Sequence, residues 1–503
     1  MSRPGVVASG HPLVTAAAAE ILNEGGNAFD AAVAAGFAGA VAEPAVTSLG
    51  GGGFLLARSA EGRARLFDFF VDTPGRGLER GALEPHFVPV TLRFPASEQE
   101  FNVGLGSVAV PGNLAGYLQV HEALGRLSLH TVVGPAVRLA REGVPLNARH
   151  AYMLGLLEPI FARTEAAAAI FAPEGRMARE GELLRNPDLA GTLERLPEDH
   201  GKSFYEGEVA ERIAAAMRAG NGLLTTQDLA AYRVVERDPL SFEYRGRRIL
   251  TNPPPSWGGS LLAMSFELLG RLDLGSLRWG SPEHLLAWAG VLRETDALRG
   301  IGKPTLDHVA AGELDDAETR VRAFLRGTTH VSVADREGNV ASMTTSNGEG
   351  SGWIAPGTGV MLNNMMGEDD LHPAGFHASP PGLRVASMMS PSIVLDGDRA
   401  GLVVGSGGSK RIRTALLQVI SSVLDFGLPL RDAVEAPRLH WDGETLQLEP
   451  GMEDRAAVAA LARLGPVNEW PDRDLYFGGV HAVVPGVEGA GDPRRGGSAM
   501  TVR

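Results

Sequence analysis

The sequence predicts a layered α/β body to which both ends of the chain contribute strands. Three observations carry that expectation: an alanine-rich pair of helical segments near the start, a long helical middle third, and a β-hairpin with short apolar strands in the last third. With 503 residues, 44% of them hydrophobic, the chain is long enough to bury a large core. Length alone favours about three domains, a rule that large layered enzymes break.

Residues 13–22 and 28–41 read as two helices, and Gly25-Gly26-Asn27 supplies the turn between them. Their small side chains suit close packing against a sheet. Ser48-Leu49-Gly50-Gly51-Gly52-Gly53 then feeds the apolar strand Phe54-Leu55-Leu56. A phosphate loop needs a Gly-Lys-Ser/Thr step opening a helix, whereas this run opens a strand. From roughly 113 to 240 the pattern is mostly helical, with amphipathic segments at 114–124 and 133–141. Strand character returns around Phe242-Glu243-Tyr244 and Arg248-Ile249-Leu250. Residues 251–260, with three consecutive prolines and a Gly-Gly pair, form a rigid loop leading into a helix. Residues 310–319 are polar and acidic. Beyond them short strands alternate with helices at 410–424 and 454–464, without repeats or a low-complexity tail.

The last third opens with Gly327-Thr328-Thr329-His330-Val331-Ser332-Val333-Ala334-Asp335. This alternating run turns at Arg336-Glu337-Gly338-Asn339 and returns as Val340-Ala341-Ser342-Met343-Thr344-Thr345-Ser346, a β-hairpin. A Thr-Thr pair favours a strand on conformational grounds alone. It also has a chemical reading. If the chain is cut before Thr328, its hydroxyl and a new α-amino group share one residue, and an N-terminal amine is a competent base for a threonine nucleophile. Its reference pKa of about 7.7–8.0 leaves a neutral fraction near pH 7 that a lysine, at about 10.4, lacks. Further on, Gly405-Ser406-Gly407-Gly408-Ser409 lies between Leu402-Val403-Val404 and a helix starting near Lys410. Backbone N–H groups in such a turn can converge on a developing negative charge, although an ordinary strand-to-helix turn has the same sequence pattern.

Bulk properties exclude several classes. A net charge of -14 argues against non-specific nucleic-acid binding, which needs Lys and Arg to displace counterions. The absence of cysteine excludes disulfides, thiolate catalysis and Cys-based zinc sites. The thirteen histidines form no close-spaced ligand set, and packing is the expectation for His330, so no metal or other cofactor is expected. Residues 1–8 lack a basic segment followed by an apolar one, and no stretch approaches the ~18 apolar residues of a membrane span. A soluble cytoplasmic protein without membrane partners is the expectation.

Several pieces together resemble the γ-glutamyltransferase (γ-glutamyltranspeptidase) family of N-terminal-nucleophile hydrolases. They are Gly25-Gly26-Asn27-Ala28-Phe29-Asp30-Ala31-Ala32, Leu49-Gly50-Gly51-Gly52-Gly53-Phe54, Val110-Pro111-Gly112 and Leu224-Thr225-Thr226-Gln227-Asp228-Leu229 with Tyr232. Pro253-Pro254-Pro255-Ser256-Trp257-Gly258-Gly259, Thr328-Thr329-His330, Leu362-Asn363-Asn364 and Met389-Ser390-Pro391 complete the set, in order along nearly the whole chain. The resemblance implies an α+β fold, a four-layer αββα sandwich of two antiparallel sheets between helical layers. It implies self-cleavage at Gly327–Thr328 into a large part, 1–327, and a small part, 328–503, that stay associated as one domain. It further implies that Thr328 attacks a γ-glutamyl amide to form an acyl-enzyme, which water or an amine acceptor resolves. Gly407 and Gly408 stand where the oxyanion donors belong, uncertain by one position. Ser346 corresponds to a hydroxyl that supports the nucleophile, and Asn347, with one residue gapped, to a substrate contact.

The match fails at the grip on the glutamyl head group. The family's strand carries an arginine for the α-carboxylate, but Leu66-Phe67-Asp68-Phe69-Phe70 places Phe70 there. A phenyl ring makes no charge-assisted hydrogen bond, worth about 1.5–3 kcal/mol each. Arg76, Arg80 and Arg384 are the alternative cations. The segment that binds the α-amino group reads Asn363-Asn364-Met365-Met366-Gly367-Glu368, leaving Glu368 to pair with an ammonium. The paired serines of the family become Ser387-Met388, which leaves one of two carboxylate contacts at Ser387. Three readings follow: a γ-glutamyltransferase-like amidohydrolase, an acylase for another amide such as a dicarboxylic β-lactam side chain, or a non-catalytic binding protein.

Overall fold

A computed structural model describes residues 3–79, 85–94, 97–300, 327–372, 375–452 and 454–503. Two antiparallel sheets lie face to face. The first has seven strands in the order Ser498–Val502, Gly5–Ser9, Thr329–Ala334, Val340–Ser346, Gly52–Arg58, Ala64–Phe69 and Val235–Arg237. The second has six, in the order Glu488–Gly491, Gly479–Val484, Arg399–Gly407, Ser392–Asp396, Arg247–Thr251 and Leu240–Tyr244. Helices Pro12–Asn23 and Ala28–Ala42 cover the outer face of the first sheet; Trp257–Gly270, Arg411–Leu424 and Leu430–Glu435 cover that of the second. The expected αββα sandwich is the fold.

Strand alternation divides the core. Val7, Leu55, Val331, Val333, Ala341 and Met343 pack toward the first helical layer, while Val6, Phe54, Leu56, Ala334 and Val340 pack toward the second sheet. Ala28–Ala42 is buried on every side, which its alanines and glycines permit. Its start is closed by Asn27, whose side chain accepts from the N–H groups of Phe29 and Asp30 at 2.9 Å each, while the Asp30 carboxylate accepts from Asn27 N–H. Such a capping box contributes about 1 kcal/mol. Asp335 ties this helix to the hairpin. One of its oxygens accepts from the N–H groups of Glu337, Gly338 and Asn339 in the turn, and the other from Ala28 N–H at 3.0 Å.

The elements fall within a few residues of their expected bounds, with two informative differences. The helix expected after the 251–260 loop begins inside it, at Trp257, because the N–H groups of Trp257 and Gly258 donate to the Ser387 carbonyl and stop the loop early. The strand Arg399–Gly407 runs through Gly405 and Gly407, so the turn is shorter than expected and consists of Gly408, Ser409 and Lys410. Residues 310–319 lie outside the described residues. Among the described residues no helix is long and apolar enough to cross a membrane.

Candidate active site

Thr328 immediately precedes the central strand Thr329–Ala334 and is buried at the rim of a small cleft. The Gly327–Thr328 bond is gripped from three directions. Ser346 Oγ donates a short hydrogen bond to the Gly327 carbonyl and itself accepts from Gly348 N–H at 2.9 Å. Gly327 N–H donates to Glu349 Oε1 at 3.3 Å, and the Thr328 carbonyl accepts from Arg495 Nη1 at 3.1 Å. Side chains after Thr328 alternate as the pleat requires. Thr329 Oγ1 donates to Glu43 on the helical side, whereas His330 faces the second sheet, where a Cβ on Gly405 would overlap its ring. His330 is therefore a packing residue. Ser332 Oγ donates to the His481 carbonyl and so accepts from His330 Nε2–H, which leaves Nδ1 to accept from Thr344. Burial holds this imidazole well below the ordinary histidine range, in its neutral form.

The glycine run has a steric purpose. A Cβ on Gly51 would overlap the carbonyl oxygen of Ser346, so glycine lets this backbone lie directly under the end of the Val340–Ser346 strand. Gly407 makes the same kind of approach to the Thr328 carbonyl. Gly408 follows with φ 126° and Ser409 with φ 55°, a left-handed conformation that costs a non-glycine residue of order 1 kcal/mol. That turn brings Ser409 and Ile412, at the N-terminus of Arg411–Leu424, to the cleft beside Thr328.

Thr328, Ser346, Glu368 and Ser387 all line the one cleft, together with Phe70, Met365, Met388 and Met389. Asn347, the first residue after the strand Val340–Ser346, is buried and is not among the lining residues, and its backbone N–H donates to the Val46 carbonyl. Phe70 stacks on Phe54 with centroids 5.5 Å apart and presents an apolar wall where a cation was sought. Arg384 does not replace it. Its Nη1 donates to the carbonyls of Asp68 and Phe70 and to Tyr232, Nη2 to the Arg233 carbonyl, and Nε pairs with Asp72 at 2.9 Å. Arg76 is exposed and lies over Gly382, and Arg80 is outside the described residues.

Arg495, whose guanidinium donates to the Thr328 carbonyl, is a residue that sequence reasoning missed. Burial, reinforced by Arg411 and opposed by Asp492, Asp474 and Glu43, pulls it down to about 10. It is carried by the loop Gly491-Asp492-Pro493-Arg494-Arg495-Gly496-Gly497, where Asp492 accepts from Arg438 at 2.6 Å and from Arg494 at 3.2 Å, both pairs buried. Burial pushes the Asp492 carboxyl up, but the two arginines and the N–H groups of Val480 and Arg494 outweigh it and hold it well below the usual carboxylate range. A glycine-flanked Asp-Pro-Arg-Arg near the C-terminus was the available signal.

A family model described as Gamma-glutamyltranspeptidase matches residues 14–314 and 310–502. The chain belongs to the γ-glutamyltranspeptidase family. The glutathione hydrolase proenzyme of Escherichia coli (strain K12) is 32% identical, over 98% of this chain and 91% of its own length. An acylase, the ACY 1 proenzyme of Pseudomonas sp. (strain SE83), is 34% identical over 95% and 89%. The crystal structure of a cephalosporin acylase from Bacillus halodurans superposes with a TM-score of 0.84 at 26% identity, covering 99% of this chain and 96% of that one. This γ-glutamyltranspeptidase homologue is thus an enzyme, an N-terminal-nucleophile hydrolase or transferase of the proenzyme type. Its relatives include both glutathione hydrolases and acylases.

Proposed function

We propose that the chain cuts itself between Gly327 and Thr328 and then acts as a γ-glutamyltransferase-like amidohydrolase and acyltransferase. The observation that carries this is the Ser346 hydroxyl on the Gly327 carbonyl, one residue from a threonine at the rim of a cleft. In the first step Thr328 Oγ attacks the Gly327 carbonyl carbon, Ser346 stabilises the developing oxyanion, and the C–N bond breaks to leave an ester. The Oγ proton passes to the Thr328 nitrogen, which is freed as an amine in that step, and water then hydrolyses the ester to the Gly327 carboxylate and the Thr328 hydroxyl. Parts 1–327 and 328–503 remain together. In turnover the amine takes the Oγ proton, Oγ attacks a γ-glutamyl or related amide, and N–H groups at Gly407 and Gly408 stabilise the oxyanion. The departing amine takes the proton, and water or a second amine resolves the acyl-enzyme.

An acylase for an amide without a free amino-acid head group is the second reading. Phe70 in the cleft, and the full engagement of Arg384 elsewhere, favour it. N-terminal sequencing of the smaller band on a denaturing gel tests self-cleavage; the expected first residue is Thr328, and Thr328→Ala is expected to stay intact and inactive. Comparing γ-glutamyl and glutaryl chromogenic amides separates the two substrate readings. A single uncut chain that turns over neither would leave a binding protein.

A further inference from the structure

Opening the Gly327–Thr328 bond makes Thr328 a chain end, and the first residues of a chain are poorly ordered unless tied down. The grips of Ser346 and Glu349 act on Gly327, so they no longer fix Thr328 through its own backbone once that bond is open. The sheet does not hold it either. The ladder to Gly5–Ser9 ends at Val331 and the ladder to Val340–Ser346 ends at Thr329, which leaves Thr328 outside both. Among the described residues, two side-chain hydrogen bonds reach this end of the strand. Arg495 donates to the Thr328 carbonyl at 3.1 Å, and Thr329 Oγ1 donates to Glu43 Oε1 at 3.0 Å on the helical side.

Stability alone does not account for Glu43. Its side chain is buried at the C-terminal end of Ala28–Ala42, where the helix dipole disfavours an anion, and its Oε2 has no hydrogen-bond partner among the described residues. Burial pushes its carboxyl up, but His150, whose Nε2 lies 3.8 Å from Oε1, together with His11 and His481 outweighs burial and holds it below the usual carboxylate range. An ionised carboxylate is a stronger acceptor than a neutral oxygen. The backbone of Gly10 closes over the contact, since a Cβ there would overlap both Glu43 Oε1 and Thr329 Oγ1. We propose that Glu43 is a positioning residue for the cleaved enzyme: it anchors Thr329 while Arg495 anchors the Thr328 carbonyl, and together they fix the peptide between the two threonines. The direction of the Thr328 hydroxyl and amine follows from that peptide. The proposal rests on the reading above in which Thr328 is the nucleophile. In the uncut chain Thr328 is tethered from both sides and the anchor matters little; after the cut it matters most.

The test compares two rates in one variant. Thr329→Val removes the hydroxyl and keeps the shape of the side chain. Self-cleavage is followed on a denaturing gel. Acylation of the cleaved enzyme is followed as single-turnover release of p-nitroaniline from the γ-glutamyl or glutaryl anilide, with enzyme in excess. Acylation is expected to slow at least about tenfold and self-cleavage no more than about threefold, as a small misplacement of the reacting group would produce. The enzyme concentration at half-maximal rate is expected to stay within about twofold, because Glu43 and Thr329 do not line the cleft. Thr329→Ser, which keeps the hydroxyl, is expected to recover most of the acylation rate. Unchanged acylation in Thr329→Val overturns the proposal. So do acylation and self-cleavage slowed in equal proportion, the mark of general damage to the fold. Should Thr329→Val not fold, Glu43→Gln decides, since it keeps the side chain's size with a weaker acceptor: acylation is expected to slow at least about threefold more than self-cleavage, and equal effects on the two rates refute. A wild-type chain that releases no p-nitroaniline from either anilide would sink the Thr328 reading itself.

Discussion

Ser346→Ala removes one oxygen atom and tests the self-cleavage chemistry at its narrowest point. That oxygen makes two hydrogen bonds, donating to the Gly327 carbonyl and accepting from Gly348 N–H. Loss of the donor takes away a partner aimed at the oxygen that becomes negative when Thr328 attacks. Comparable oxyanion donors contribute about 3–4 kcal/mol, so cleavage is expected to slow by roughly 10²–10³-fold. Loss of the acceptor leaves the Gly348 N–H unpaired in a buried position, a further destabilisation of about 1–3 kcal/mol. Ser346→Thr retains the hydroxyl and is expected to cleave within about tenfold of wild type, its added methyl narrowing the rotamers open to the hydroxyl. The assay follows the appearance of the 327- and 176-residue fragments by denaturing gel, at two protein concentrations to establish first-order kinetics. Ser346→Ala cleaving at the wild-type rate would refute the reasoning. So would Ser346→Thr cleaving as slowly as Ser346→Ala, since shape rather than the hydroxyl would then control the rate.

Stability is expected to fall as pH drops from 6.5 toward 4. Burial, first of all, pulls both His11 and His481 down to about 4, so the unfolded chain takes up protons in that window and the folded chain does not. Each group then contributes on the order of 3 kcal/mol that is present above pH 6.5 and lost by pH 4; a melting temperature flat across that range contradicts this. Asp492→Asn strips the charge from between Arg438 and Arg494 and is expected to cost about 3–5 kcal/mol, read as a lower guanidinium chloride midpoint. Gly51→Ala forces a methyl group against the Ser346 carbonyl, with an expected loss of about 1–3 kcal/mol and slower self-cleavage on the same gel assay.

Much of this was legible in the sequence because the periodicities are strong and local. The capped helix Ala28–Ala42 and the 329–346 hairpin need only neighbours in the chain to define them, and Gly-Thr-Thr at the start of a strand singled out Thr328. What stayed hidden depends on contacts between distant segments. Arg495 reaches a carbonyl 167 residues earlier, and nothing local distinguishes it from Arg494 beside it. The glycine run was recognisable as no phosphate loop, but its reason, a backbone lying under Ser346, required the neighbouring strand. Arg384 was a reasonable candidate for the missing cation until its five-way engagement with 68–72, Tyr232 and Arg233 was visible.

The strand order of the first sheet bears on what a severed chain can do. Thr329–Ala334 is laced on one side to Gly5–Ser9, and its hairpin partner is laced to Gly52–Arg58, while Ser498–Val502 flanks Gly5–Ser9 from outside. Segments from before and after residue 327 therefore interleave within one ladder, and breaking the backbone there would release nothing. Dilution, which separates ordinary two-chain complexes by mass action, has no interface to act on short of unzipping the sandwich. The lifetime of the processed pair is then governed by how fast the whole body unfolds.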